Sequence, residues 1–236
     1  ARVVVEPGTV IQGAIVLSGD DVTLELGAGC DVQSTVTLSG ANCSLICQNG
    51  VDLDGIIVSG NFGYVDGGGW DTISHGPSSV DGIEVSGTDV IVKDISGNTT
   101  AYSADSAAFR SSGERTIFDR CRVVFSHWNG FYTIADEVKI LNSVVEDTDW
   151  EGIYSDSTEG IISNNWVDSA GLDGIQVGDS ADNTVIVGNI VRDQASDPIE
   201  VGAGCENCVV VGNRTDGAII DHAGTSTVSG NNTTAF

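Results

Sequence analysis

Short apolar runs alternate along the chain with stretches rich in Gly, Asn, Asp, Ser and Thr. Four runs close on an asparagine, at Asn142, Asn165, Asn189 and Asn213, with intervals of 23, 24 and 24 residues. So regular an interval predicts a chain wound in equal coils, each stacked on the last. Stacking puts equivalent residues in straight columns about 4.8 Å apart, the spacing of paired strands.

A second repeat runs in phase with the first. Gly82-Ile-Glu, Ala108-Phe-Arg, Gly130-Phe-Tyr, Gly152-Ile-Tyr, Gly174-Ile-Gln and Pro198-Ile-Glu all open with a small residue or proline, followed by a buried-type residue and a polar or aromatic one. One coil parses as a first strand from Gly174, a second at Val185-Ile-Val, a tight bend at Gly188-Asn189 and a short third strand at Ile190-Val191. Alternation places Ile175 and Val177 inside and Gln176 outside. The N-terminal half repeats the grammar: Val22-Thr-Leu-Glu-Leu matches Cys43-Ser-Leu-Ile-Cys in phase. The expected fold is all-β, a single-stranded parallel β-helix of roughly ten coils forming one domain over residues 1–236. Residues 59–80 break the repeat with Asp66-Gly-Gly-Gly-Trp70 and read as a Gly-rich loop insertion.

Composition narrows the partners. The net charge is −25 and there are only two lysines, Lys93 and Lys139. Nucleic acid is excluded as a partner, because phosphate binding needs clustered Lys and Arg. No apolar run approaches the roughly 20 residues of a membrane span. Low Lys with Asp-rich turns resembles proteins of halophilic organisms, in which salt screens self-repulsion. Cys43 and Cys47 share a side with Leu45 and read as small buried thiols. Cys205 and Cys208 lie close enough to pair across a turn. A mature secreted chain would begin as this one does.

The asparagine column, with Glu6-Pro-Gly-Thr and Val22-Thr-Leu-Glu-Leu-Gly near the N-terminus, resembles the right-handed parallel β-helix superfamily of pectate lyases, polygalacturonases, alginate epimerases and viral tailspikes. In that superfamily an internal asparagine ladder fills the bend between the second and third strands. Its substrate cleft runs along the outer face of the first strand and the turn leading into it. The resemblance therefore directs attention to the outward column Glu84, Arg110, Tyr132, Tyr154, Gln176 and Glu200. Three turn columns precede it: Asp105, His127 and Asp149; Trp128 and Trp150; and Asn129, Glu151, Asp173 and Asp197.

Aromatic faces beside acids and hydroxyls suit a sugar chain, whose C–H faces pack on rings. The bland alternative is that Trp128 and Trp150 cover the core end of a long turn. Three chemistries fit the groups. In β-elimination or epimerisation of a uronate, Arg110, His127, Tyr132 and Tyr154 serve as base, acid and carboxylate neutraliser. Asp105, Asp149, Glu151 and Asp173 are then candidate ligands for Ca²⁺. Trp128, Trp150, Asn129, Gln176 and Glu84 are candidate substrate contacts. Glycoside hydrolysis by paired carboxylates is the second, but the polygalacturonase signatures are absent. The third is glycan binding without chemistry. The favoured expectation is a secreted lyase or C5-epimerase acting on an acidic polysaccharide. The alternative is a structural or adhesive β-helix of the tailspike kind, at a virion or cell surface, that binds surface glycan. An exposed end coil invites edge association into a homo-oligomer, and Thr225 to Thr234 reads as a cap.

Overall fold

The computed structural model describes residues 1–76, 81–99 and 106–233. The chain forms a parallel β solenoid with three sheets. Among the described residues one sheet has eleven strands and the other two have ten each, and every strand pairs with the strand three along. A rung runs from a first strand such as Ile175–Val177, through a second, Val185–Val187, to a third, Ile190–Arg192. Leu24, Leu45 and Val65 stack in register inside the second-strand sheet. Ile83, Phe109, Phe131, Ile153, Ile175 and Ile199 stack inside the first. All are buried. Phe109 and Phe131 lie face to face at 4.7 Å, with Phe118 edge-on to both. This column is the centre of the core, and successive rungs extend it from Leu17 to Val210.

The bends explain the polar punctuation. Between second and third strands the chain takes a left-handed residue at Asp94, Arg120, Asn142, Asn164, Gly188 and Gly212. Gly adopts this conformation without strain and Asn or Asp tolerates it. The next residue turns inward. Asn165 Nδ2 donates to Asn189 Oδ1 at 3.0 Å, Asn189 Nδ2 to Asn213 Oδ1 at 3.0 Å, and Asn213 Nδ2 to Asn231 Oδ1 at 3.1 Å. Asn142 is not part of this column. It occupies the exposed left-handed position, and Ser143 takes the inward one, its amide donating to Asn165 Oδ1 at 2.9 Å. Asparagine serves both positions, so residue type alone misplaces it by one.

The stretch 59–80 does not project as a loop insertion over its described part. Tyr64–Asp66 lies in the second-strand sheet and Ile73–Gly76 in the third, each paired on both sides. Its glycines are required by close stacking: a Cβ on Gly67 would meet the Asp94 carbonyl oxygen at 2.3 Å. Thr227–Ser229, within the expected cap, adds a further strand to the second-strand sheet. At the other end Val3, Val4, Val10 and Val16 are exposed. All six cysteines are buried and reduced. Cys205 and Cys208 do not pair; their thiols donate to the carbonyls of Gly178 and Ala181 on the preceding rung. Burial pushes the Cys205 thiol up to about 12.

Candidate functional site

The first-strand sheet turns a half-buried polar column outward, because alternation that buries Phe109, Phe131 and Ile153 must expose their successors. Glu84, Arg110, Tyr132, Tyr154, Gln176 and Glu200 face one another in register on six consecutive rungs. Arg110 Nη1 lies 3.7 Å from Glu84 and 3.9 Å from the buried Asp81, and its Nε is buried without a hydrogen bond. Tyr132 and Tyr154 stack at 5.2 Å with a 15° tilt. Gln176 Nε2 approaches Glu200 Oε1 at 3.5 Å. Burial, then the charges of Asp156, Tyr132 and Glu151, pushes the Tyr154 phenol up to about 12. Tyr154 is therefore held protonated, with its hydroxyl available as a hydrogen-bond donor.

The turn before this sheet supplies a second set. His127 Nδ1 lies 2.8 Å from Asp149 Oδ2 on the next rung. An ionised carboxylate only accepts, so Nδ1 carries the proton in this contact. Phe125 packs edge-on against the imidazole at 4.7 Å. Trp128 and Trp150 pack at 3.8 Å between ring centroids with a 41° tilt, and Trp150 is exposed. Trp128 Nε1 and Asn129 Oδ1 are buried without a partner.

Of the four expected metal ligands, the three among the described residues, Asp149, Glu151 and Asp173, do not come together as one set. Asp105 lies outside the described residues. Asp149 is committed to His127. Glu151 and Asp173 stand on successive rungs of the third turn column, both buried. The oxygens that do converge belong to Asp173, Asp197 and Glu200, all within 4.8 Å of one another. Asp173 Oδ1 also accepts from the Asp197 amide at 2.8 Å. Burial and then the Asp173 charge raise both Glu151 and Glu200 from the ordinary carboxylate value. His222 Nε2 reaches Glu200 Oε1 at 3.8 Å. Sequence reasoning had Asp197 and Glu200 in two separate columns; only the closure of the turn brings these columns together.

The third-strand sheet carries a feature that sequence reasoning missed, the outward neighbours Arg122, Val144 and Trp166. The signal was available: each is the first residue after the bend that sets the phase of its coil.

A family profile described as "Right handed beta helix region" matches residues 27–191 and 81–233. No curated protein sequence matches the chain. Among solved structures it is similar to the Dettilon tailspike protein, with 13% identity and a TM-score of 0.53 over 98% of this chain. It spans 58% of that tailspike's length. It is also similar to the A-module of a mannuronan C-5 epimerase from Azotobacter vinelandii, with 12% identity and a TM-score of 0.51, over 98% of this chain and 90% of the module.

Proposed function

The chain belongs to the right-handed β-helix family, and from that premise we propose that it acts outside the cell on polysaccharide, as a lyase or C5-epimerase of uronate-containing glycan. The observation that carries this reading is the His127–Asp149 pair in the turn that leads into the first-strand face, where Tyr132 and Tyr154 stack. The carboxylate orients the imidazole through Nδ1, and an imidazole so held suits the base for the C5 proton of a uronate. The protonated Tyr154 phenol suits the acid that assists the leaving oxygen in elimination. In epimerisation it returns a proton to the opposite face. Arg110 faces the same column and suits the substrate carboxylate. The similarity of the fold to a mannuronan epimerase module supports the same reading.

Asp173, Asp197 and Glu200 fit a Ca²⁺ ion. They offer hard oxygen donors at close quarters, and Glu151 and Glu200 already resist ionisation there. The bound ion would offset that repulsion and neutralise substrate carboxylates.

A second reading is favoured by the open aromatic surface and by the tailspike likeness: glycan binding at a virion or cell surface with no turnover. One experiment separates the two. Incubation with alginate, pectate and acidic exopolysaccharides in Ca²⁺ and high salt is followed by ultraviolet absorbance of unsaturated ends and by proton NMR of the polymer. Unsaturated product or a changed C5 configuration supports the enzyme. Binding to these polymers with neither change leaves the binding reading.

A further inference from the structure

The third-strand face carries a groove that lies outside the column described above. It has a volume of about 400 Å³. Val144 forms its floor, flanked in register by Arg122 and Trp166 on the adjoining rungs. Asp168 and Arg192 line it one column further on. Trp70 closes it from an earlier rung: its indole Nε1 donates to the Arg120 carbonyl at 2.6 Å, which satisfies the polar edge. Both rings remain accessible, Trp70 at 41% and Trp166 at 37%. The Arg192 guanidinium sits over the Trp166 ring, 4.7 Å from its centroid.

Two large indoles left in water around one cavity are uncommon on a monomer surface and mark a binding groove. Their chemistry selects the occupant. It must offer apolar faces for the rings and hydroxyls for the groups between them, as a sugar does. Charge selects further. Arg122 binds Glu146 at 2.6 Å and Arg192 binds Asp168 at 2.7 Å, so the four charges of the groove cancel. Each guanidinium is neutralised by its partner carboxylate, so the groove offers no net charge to an ionic ligand. We propose that this groove is a second carbohydrate site, separate from the first-strand face, which takes a neutral hexose oligosaccharide.

The test uses the indole N–H signals of the four tryptophans in ¹⁵N-labelled protein. The probes are cellohexaose, maltohexaose, mannohexaose and a hexauronate. A neutral hexasaccharide is expected to shift the signals of Trp70 and Trp166 while leaving those of Trp128 and Trp150 in place. Trp166→Ala, and independently Trp70→Ala, should weaken that binding by about tenfold, and Trp150→Ala should leave it unchanged. If none of the neutral sugars moves Trp70 or Trp166, or only the hexauronate does, the proposal is overturned. The same holds if both variants bind like the parent. The uronate reading of the first-strand face is reported separately, by Trp128 and Trp150 and by turnover, so either reading can fail alone.

Discussion

His127 and Asp149 meet across one rung, with Nδ1 2.8 Å from Oδ2, although 22 residues separate them in the chain. The pair is rigid on one side, where Phe125 packs on the imidazole, and half-exposed on the other. If His127 abstracts the C5 proton, His127→Gln should lower kcat on polyuronate by about 10²–10⁴-fold. Stability should change by no more than about 1 kcal/mol. Asp149→Asn should lower kcat less and alter the pH profile of kcat, because it loosens the tautomer and leaves the base in place. Turnover of His127→Gln at the parent rate, or loss of activity matched by loss of folded protein, would count against the role.

The inward asparagines are a matter of stability. Asn189 donates to the Ile162 carbonyl and to Asn213, and accepts from both nitrogens of Asn165. Asn189→Ala leaves those buried groups unpaired and should cost about 2–4 kcal/mol, read as a lower thermal midpoint. Asn142→Gly, at the exposed left-handed position, should change stability by under about 1 kcal/mol. Equal losses at the two positions would contradict the one-residue offset between them.

Glu151 gives a pH signature. Burial and neighbouring charge raise its folded pKa above the unfolded value, so between the two values the native state binds more protons than the unfolded chain. Stability then falls as pH rises through that window, which opens at the ordinary carboxylate value. Asp89, lowered by its hydrogen bond from Arg115, acts in the opposite sense, losing stability as pH falls. Glu151→Gln should therefore be more stable than the parent at neutral pH and gain nothing in acid. Thermal midpoints measured across pH 3–8 check this, and a constant gap between the two proteins would refute it.

Calcium should act on the same repulsion. Millimolar Ca²⁺ at neutral pH is expected to raise the thermal midpoint, since a ligand that binds only the folded chain stabilises it. Asp173→Asn should abolish most of the rise. A midpoint that ignores Ca²⁺ removes the ion from the mechanism while leaving the His127 test intact.

Salt should also stabilise. With 34 acidic and nine basic side chains, self-repulsion is screened as ionic strength rises. Thermal midpoints in sodium chloride from low salt to about 1 M should climb steadily. A flat or falling series would end the halophilic reading.

The solenoid, its phase and its outward columns were legible in the sequence because a stacked coil repeats the same contacts at a fixed interval. Alternation alone put Ile175 inside and Gln176 outside, and equal spacing put Tyr132 under Tyr154 and Trp128 under Trp150. Where one residue type serves two neighbouring positions, spacing failed by one residue, as at Asn142 and Ser143. Where glycines allow strands to pass close together, the Gly-rich stretch that looked like a loop proved to hold paired strands. Tertiary structure alone decided which columns meet across a turn. Asp173 converges with Asp197 and Glu200 and not with Asp149, and Trp70 reaches the face of Trp166. A one-dimensional repeat fixes the height of each residue along the solenoid, whereas the curvature of each turn, set by packing around its bends, fixes the lateral distance between side chains at the same height.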